Sequence, residues 1–322
     1  MPLNLHQLRV FEAVARTGSF SRAARELSIT QPAVTFQIRQ LEEQRGVALF
    51  ERIRRRPGLT QAGQTLYQYA QRIFALAEEA EQALELARGF KAGRLRLIAS
   101  LTAAAYYLPP VVAAFKRRYP DIQVQLLVDN SRRVAERILA LVDDLGVLTG
   151  EPQNPDLVLE PFCEDPLVLI VPPQHPWAKR RAVSLRDLGD QPFILREPGS
   201  ATRALVEGRM AAHGLALQVA MELASNEAIK RAVEMGTGVT LISAAIVRRE
   251  VEARRLAMLR VREPGLVRRF YFAYHRERRE SPLIRAFLEI ARRPSGLPPD
   301  GVPRAVEESA RSPKEVRVRR RR

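Results

Sequence analysis

The side chains with the clearest chemical meaning lie on one face of a predicted helix near the N-terminus. At 100° per residue, the segment after Thr30 places Val34, Ile38 and Leu41 on its apolar side. The opposite side carries Gln31, Pro32, Thr35, Phe36 and Arg39. An outward phenylalanine is unusual on a solvated helix, but in a DNA major groove it can meet a thymine methyl group, while glutamine and arginine reach base edges or phosphates. This face predicts a DNA contact; the alternative is that Phe36 packs on its own domain and Arg39 is solvated.

Further polar groups flank this helix and suit contact with a phosphate backbone. The tip of a predicted hairpin carries Arg52, Arg54, Arg55 and Arg56. Arginines at such a tip can bind phosphates or enter a narrow minor groove. Ser21 and Arg22 begin the preceding helix, where free backbone N–H groups can bind a phosphate. We therefore expect all six side chains to contribute to DNA binding.

A second set of polar side chains follows predicted strands in the C-terminal two thirds of the chain. Ser100 and Thr102 follow one strand, Ser200 and Thr202 open the helix after another, and Thr149 ends a third. Ligands of α/β sheets bind beyond the carboxyl ends of strands, and helix N-termini favour anions. The pattern predicts a site for a small anion. The alternative is that these hydroxyls are ordinary helix N-caps.

The charge of the chain favours polyanionic partners. Its 322 residues include 52 basic and 36 acidic side chains, for a net charge of +16. Residues 1–65 hold ten basic against five acidic groups, and residues 304–322 hold eight against three. With the Pro- and Gly-rich segment before it, the end of the chain predicts a disordered basic tail over 294–322. Arginine supplies 47 of the 52 basic groups, which suits phosphate binding but equally a GC-rich genome.

Enzyme and metal chemistry have no support in the sequence. The single cysteine, Cys163, excludes an internal disulfide or a CxxC site, and we expect it to be a small buried residue. The four histidines lack HxxxH spacing, and GxSxG, HExxH and a strand-linked GxGxxG are all missing. We predict no enzymatic activity, no metal and no cofactor. Without a signal peptide or an apolar run near ~18 residues, the expected location is the cytoplasm, away from membranes.

Three short predicted helices and a hairpin must position the side chains that are expected to contact DNA. Ser19 or Ser21 can cap the second helix, while Thr30 caps the third, which stops at Gly46. A turn of three residues separates these two helices, which is typical of a helix-turn-helix. Residues 47–60 predict a small hairpin, or wing, with the arginines at its tip.

Residues 61–88 predict a long helix that dimerises. Apolar residues recur there with a mean step of 3.5, over about three heptads or roughly 40 Å of helix. The predicted seam consists of Leu66, Ile73, Leu76, Ala80 and Leu84. The alternative is a helix that lies on the core of its own domain. Residues 89–93 form a hinge after it.

Residues 94–293 alternate strand and helix patterns, which predicts an α/β fold with mostly parallel sheets. Ten predicted strands, among them Leu157–Phe162 and a separate Leu167–Val171, exceed a comfortable single sheet. We therefore expect two lobes. Lobe I comprises about 94–163 and 267–293, and lobe II about 164–266. The chain as a whole is then a multidomain α+β protein.

The residues so far resemble the LysR-type transcriptional regulators over roughly residues 3–292. The specific part is FEAVARTGSFSRAARELSITQPAVTFQIRQLEEQRGVALFER, from Phe11 to Arg52, followed by LTQAG from Leu59 to Gly63. Thr35 departs from the usual serine of that family but keeps the hydroxyl. Weaker similarity continues in stretches such as REPGSATR at 196–203 and SNEAIKRAVEMGTGVTLIS at 225–243.

This resemblance implies a winged helix-turn-helix over 1–60 on double-stranded promoter DNA, a dimerising linker helix, and an effector domain similar to periplasmic binding proteins. It implies homodimers that pair into homotetramers, and it leaves RNA polymerase open as a further partner. A small anion between the lobes would shift the arrangement of the linker helices. Two rivals stay open: an architectural nucleic-acid binder without a ligand, and a solute-binding protein or enzyme of the binding-protein fold.

Overall fold

The computed structural model describes residues 3–51, 58–88 and 93–292. Arg52, Arg54, Arg55 and Arg56 of the predicted wing tip lie outside the described residues, as does the predicted tail 294–322. The chain forms two compact units, Met1–Glu81 and Gln82–Arg322, so the boundary falls inside the long helix. No described helix is long and apolar enough to cross a membrane.

Four helices build the first unit. They are α1 (Leu5–Thr17), α2 (Phe20–Glu26), α3 (Gln31–Arg45) and α4 (Gln61–Ala87). Ser19 Oγ accepts the N–H of Arg22 at 3.3 Å, and Thr30 Oγ1 accepts that of Ala33 at 3.3 Å. The predicted caps of α2 and α3 are therefore present, with Ser19 rather than Ser21 on α2. Helix α3 ends at Gly46 with φ +67°, in the left-handed region that favours glycine.

The core of this unit holds α3 against α1 and α2. Val34, Ile38 and Leu41 are buried, as the helical periodicity predicts. The base of the wing is an antiparallel hairpin in which the Glu51 N–H donates to the Gly58 carbonyl at 2.8 Å, beside a bridge between Phe50 and Leu59. The core thereby fixes the orientation of the opposite, polar face of α3.

Helix α4 divides the predicted seam into two parts. Leu66 and Ile73 are half-buried against the core of their own unit. At these two residues α4 therefore packs on its own domain, which was the alternative to a dimer seam. Leu76, Ala80 and Leu84 are exposed, with Leu76 at 66% and Leu84 at 69%. The described residues of the single chain therefore leave these three side chains uncovered.

Ten strands and seven helices of the second unit lie in the described residues. The strands are β1 (Arg94–Ser100), β2 (Gln123–Asp129), β3 (Leu145–Thr149), β4 (Leu157–Val171), β5 (Ala182–Val183), β6 (Pro192–Leu195), β7 (Gln218–Glu222), β8 (Thr240–Ser243), β9 (Ala257–Val261) and β10 (Val267–His275). The helices are α5 (Leu108–Arg118), α6 (Ser131–Leu139), α7 (Leu185–Leu188), α8 (Ala201–Ala212), α9 (Asn226–Glu234), α10 (Ala244–Glu252) and α11 (Pro282–Ala291). A π-helical turn, Ala103–Tyr107, and a 3-10 turn, Arg276–Arg278, complete the unit. Strand β5, helix α7 and the 3-10 turn were not predicted from the sequence.

Two strand predictions were wrong. The segments predicted as separate strands form the single strand β4, because the Glu164–Pro166 stretch between them continues to pair with β10. The sheets are also not mostly parallel. Pairs β1–β2, β1–β3, β5–β9 and β6–β7 are parallel, whereas β3–β10, β4–β10, β4–β8 and β4–β9 are antiparallel. The antiparallel pairs arise because the chain leaves the first lobe along β4 and returns along β10 in the opposite direction.

Each lobe has its own apolar core on either side of these crossing strands. The first lobe buries a cluster of aromatic side chains that includes Tyr107, Phe115, Phe270 and Phe287. The second lobe buries aliphatic residues around Phe193. The carboxyl ends of β1 and β3 in one lobe, and of β6 in the other, meet at the junction.

Candidate functional site

Helix starts from both lobes converge on one cleft of about 230 Å³ that is partly open to solvent. Helix α6 begins beside it after Asn130, helix α8 after Ser200, and a helical turn follows β1 at Leu101. The free N–H groups at a helix start carry partial positive charge. The structure brings all five predicted effector residues together in the lining: Ser100, Thr102, Thr149, Ser200 and Thr202. Their role in binding stays a prediction.

The hydroxyls in this cleft are not ordinary helix caps. Neither Thr102 nor Ser200 makes a capping hydrogen bond, although each precedes a helical segment. The Ser100 hydroxyl is buried and has no hydrogen-bond partner among the described residues. Thr149 differs from these, because its hydroxyl lies 3.2 Å from that of Ser131, which also accepts the Thr149 N–H at 3.2 Å.

Two arginines that were not predicted as site residues also line the cleft. Arg268 on β10 is 7% exposed and lies directly opposite Asp165 of β4, which is fully buried. Its Nε donates to Asp165 Oδ2 at 3.0 Å, and Nη2 contacts the same oxygen. Its Nη1 donates to Thr202 Oγ1 at 2.5 Å, and Nη2 to Thr102 Oγ1 at a longer 3.4 Å. One guanidinium thus reaches hydroxyls from both lobes.

Arg196 is also buried, but its hydrogen bonds lead away from the cleft hydroxyls. Its Nε and Nη2 form a two-pronged pair with the Glu197 carboxylate at 2.8 and 2.9 Å, and Nη1 donates to Asn226 Oδ1 at 2.9 Å. Such a fork holds the guanidinium in one orientation. Each cleft arginine therefore has a carboxylate partner of its own.

The two lobes touch at the mouth of the cleft. The Arg132 N–H donates to the carbonyl of Gly199 at 3.4 Å across the junction. Gly199 has φ +90°, and a Cβ there would lie 3.1 Å from Asn130 Oδ1. Glycine at this position thus permits both the backbone conformation and the close approach of the lobes.

Ionisable groups beneath the cleft stay protonated at neutral pH. Burial, followed by the nearby Asp165 carboxylate, raises the pKa of the Tyr107 phenol. The same two causes raise the pKa of the Cys163 thiol to about 12. Cys163 is half-buried rather than buried, which corrects the sequence-based expectation, because it lies on the junction strand β4 instead of inside a core. Within the described residues, no three His, Cys, Asp or Glu side chains are placed to hold a metal ion.

The polar face of α3 is turned away from the core of its unit. Gln31, Pro32 and Arg39 are exposed, and Phe36 is 61% exposed, so Phe36 does not pack on the described part of its domain. Thr35 is half-buried, and its hydroxyl donates to the Gln31 carbonyl at 3.1 Å.

Ser21 and Arg22 are exposed at the start of α2, next to this face. The Ser21 hydroxyl donates to Gln31 Oε1 at 3.0 Å and so links α2 to α3, while Arg22 Nη2 donates to the Thr17 carbonyl. The Ser21–Gln31 hydrogen bond places the start of α2 beside the exposed face of α3.

The family follows from sequence comparison over both units. Residues 5–64 match the family described as bacterial regulatory helix-turn-helix protein, lysR family, and residues 88–294 match the LysR substrate binding domain. The chain belongs to the LysR family. It is 39% identical over 290 residues to the RuBisCO operon transcriptional regulator of Allochromatium vinosum, covering 90% of this chain and 96% of that one. The LysR-family chain is thus a transcriptional regulator and not an enzyme, as predicted.

Two solved structures extend the comparison. Full-length CbnR complexed with its target DNA has a TM-score of 0.61 and 25% identity, covering 90% of this chain and 99% of that one. The regulatory domain of Synechocystis CcmR, in complex with 2-PG, has a TM-score of 0.58 and 35% identity, covering 62% of this chain and 95% of that domain. The CbnR match covers both the helix-turn-helix unit and the two-lobed α/β domain, and the CcmR match covers the two-lobed domain.

Proposed function

We propose that this LysR-family regulator binds promoter DNA through the exposed face of α3 and the wing, and that a small anionic metabolite in the cleft modulates that binding or the activation of transcription. One observation supports an anionic ligand most directly. The buried Ser100 hydroxyl has no hydrogen-bond partner among the described residues, and hydroxyls and helix starts line the cleft around it. An unpaired buried polar group costs roughly 1–3 kcal/mol, which a ligand acceptor would relieve.

The lining of the cleft limits the chemistry of the ligand. Hydroxyls and helix starts from both lobes surround the cleft, and these groups favour a small metabolite with one or two negatively charged groups. The related CcmR domain is bound to 2-PG, an anionic metabolite, and this supports 2-PG as the first ligand to try.

The assembly follows from α4 and from the family. The exposed Leu76, Ala80 and Leu84 continue the seam that Leu66 and Ile73 begin, and a partner helix would cover them. The proposed homodimer places two α3 helices on two half-sites of a promoter, and pairs of dimers form the homotetramer. This regulator would act in the cytoplasm, with RNA polymerase as a further partner on the promoter.

A footprinting experiment tests the proposed regulation. The full-length protein is bound to its operator with and without 2-PG, with inorganic phosphate at equal ionic strength as control. We expect 2-PG to change the footprint or the operator affinity. A footprint that no small anion alters would favour the architectural binder instead.

The wing arginines test the DNA contact separately. Replacing Arg54, Arg55 and Arg56 by glutamine should weaken binding to all sequences alike. It should also flatten the slope of log K against log salt by about 0.9 for each phosphate that the variant no longer binds. An unchanged slope would remove the wing from the interface.

A further inference from the structure

Arg268 donates hydrogen bonds to two threonines that line the cleft, and these bonds decide whether the threonine hydroxyls face a ligand as donors. The oxygens of Thr202 and Thr102 each accept a hydrogen bond from this one guanidinium, which uses one of the two lone pairs on each oxygen. A threonine hydroxyl has a single proton, and an oxygen that already accepts from a cation turns this proton away from it. Both threonines line the cleft, and among the described residues neither proton has an acceptor.

Asp165 fixes the guanidinium that imposes this polarity. The Asp165 carboxylate takes Arg268 Nε and Nη2 on one oxygen, and on the other it accepts the Tyr107 hydroxyl at 2.9 Å and the Ser243 hydroxyl at 2.5 Å. Tyr107 belongs to the first lobe and Ser243 to the second. Arg268 is thus anchored from below by groups of both lobes, while Nη1 donates to Thr202 and Nη2 to Thr102.

We propose that Arg268 is a positioning residue that sets Thr102 and Thr202 as hydrogen-bond donors and thereby makes the cleft prefer effector groups that only accept, such as carboxylate, phosphate or sulfate. The inference rests on the proposed function of the cleft and adds the device that selects its ligand. Chains of hydrogen bonds polarise one another, so a cation that donates to a hydroxyl strengthens what that hydroxyl donates in turn. A ligand that presents N–H groups to these threonines leaves the strengthened hydroxyl protons without an acceptor and must share each oxygen with Arg268.

Arg196 provides a matched comparison. It lines the same cleft and carries the same charge, but its guanidinium is held by Glu197 and Asn226 and donates to neither threonine. If attraction by positive charge were all that mattered, the two arginines would act alike. If the direction of the threonine hydrogen bonds matters, only Arg268 affects ligand binding through the threonine hydroxyls.

A double-mutant cycle separates these cases. Full-length wild type, Arg268→Met, Thr202→Val and the double variant are titrated calorimetrically with 2-PG. Each single change should weaken binding by about 10- to 150-fold, the range for a hydrogen bond to a charged group. The double variant should bind 2-PG only slightly more weakly than the weaker-binding single variant. Both changes break the same chain of hydrogen bonds, from Arg268 through Thr202 to the ligand. The parallel cycle of Arg196→Met with Thr202→Val should be additive, and Arg269→Met, an exposed neighbour outside the cleft, should bind like wild type.

A selectivity readout excludes a merely structural role. Acetate and acetamide have nearly the same shape, but the amide presents N–H groups where acetate only accepts. Wild type should need at least about tenfold more acetamide than acetate to displace half of the bound 2-PG. Arg268→Met should bring this ratio towards one, and Thr202→Ser, which keeps the hydroxyl, should preserve it. General loosening of the cleft would weaken both probes and leave the ratio unchanged.

The outcomes distinguish the inference from the function on which it rests. Arg268→Met leaves Asp165 buried and unpaired; if that variant does not fold, Asp165→Asn with Arg268→Met removes both charges and keeps an oxygen for Tyr107 and Ser243. If wild type binds neither 2-PG nor inorganic phosphate, the proposed anion site itself fails. If wild type binds 2-PG but the Arg268–Thr202 cycle is additive, or the selectivity ratio stays, the inference alone is overturned.

Discussion

The DNA-binding unit and the effector domain present their functional side chains in opposite ways. On α3 the predicted DNA-contact residues other than the half-buried Thr35 are exposed, with Phe36 at 61%. In the cleft every predicted contact residue is buried, and Arg268 is 7% exposed. Individual contacts in an exposed, screened interface are weak and additive, whereas a desolvated site makes each hydrogen bond count. The two regions should therefore respond differently to mutation and to salt.

The linker helix α4 combines half-buried and exposed apolar residues, and a mutation in its exposed part should give the largest effect. Leu76→Asp would bury a carboxylate against its symmetry mate and should cost the dimer several kcal/mol. Since Leu76 is exposed in the single chain, the fold of the DNA-binding unit should survive. Light scattering of the full-length variant should show monomers at concentrations where wild type is dimeric.

Ile73→Asp is the informative contrast for that experiment. Ile73 is half-buried in its own unit, so this change should also lower the melting temperature, which Leu76→Asp should not. A Leu76→Asp protein that remains dimeric would place the interface outside this part of α4.

In the cleft, Thr102→Ala should weaken binding of 2-PG by roughly 10- to 150-fold, the equivalent of ~1.5–3 kcal/mol for a hydroxyl bonded to a charged ligand. The melting temperature should fall only slightly, because Thr102 caps no helix and the hydrogen bond that it accepts from Arg268 is long, at 3.4 Å. Calorimetry at 50 and 200 mM salt measures the affinity, and Thr102→Ser should restore it. A drop in melting temperature with intact affinity would make the hydroxyl structural.

On the exposed face, Phe36→Ala and Arg39→Ala should alter which operator sequence is preferred, by about 1–3 kcal/mol for each base that the variant no longer reads. Operator affinity should fall steeply between 50 and 200 mM salt, far more than the affinity for 2-PG. Competition between operator variants in a binding assay measures the preference. Unchanged preference in both variants would remove α3 from the major groove.

The same contrast explains what the sequence could predict. The contact face of α3 follows from local spacing, since Val34, Ile38 and Leu41 fix which side of one helix is buried. The cleft hydroxyls follow from a general rule about strand ends. Their neighbours Arg196 and Arg268 do not, because nothing near them in sequence shows that the guanidinium of Arg268 meets Thr102, 166 residues earlier.

The junction strands mark where sequence reasoning failed. Charge and proline interrupt the apolar pattern at Glu164, Asp165 and Pro166, which is why two separate strands were predicted. In the fold Asp165 pairs across the ladder with Arg268 and continues the strand from one lobe into the other. A charged pair buried between strands is visible as such only once both strands are aligned, so the interruption that separated the predicted strands holds the carboxylate that anchors the cleft residue Arg268.

The last prediction concerns Cys163, which lies on β4 two residues before Asp165. With its pKa raised to about 12 from 9.0, the thiol should hold roughly a thousandfold less thiolate at pH 8 than an unperturbed one. Native protein should react with iodoacetamide far more slowly than protein unfolded in urea, with Cys163→Ser as the blank.

Because the pKa of the Cys163 thiol is higher in the folded state, the folded state binds more protons between about pH 9 and 12. This contribution to stability is therefore present below pH 9 and is lost as the pH rises through that window. The raised pKa of Tyr107 acts in the same direction. Rapid alkylation of the native thiol at pH 8 would show that the junction strands open readily, and the buried character assigned to the cleft would not hold.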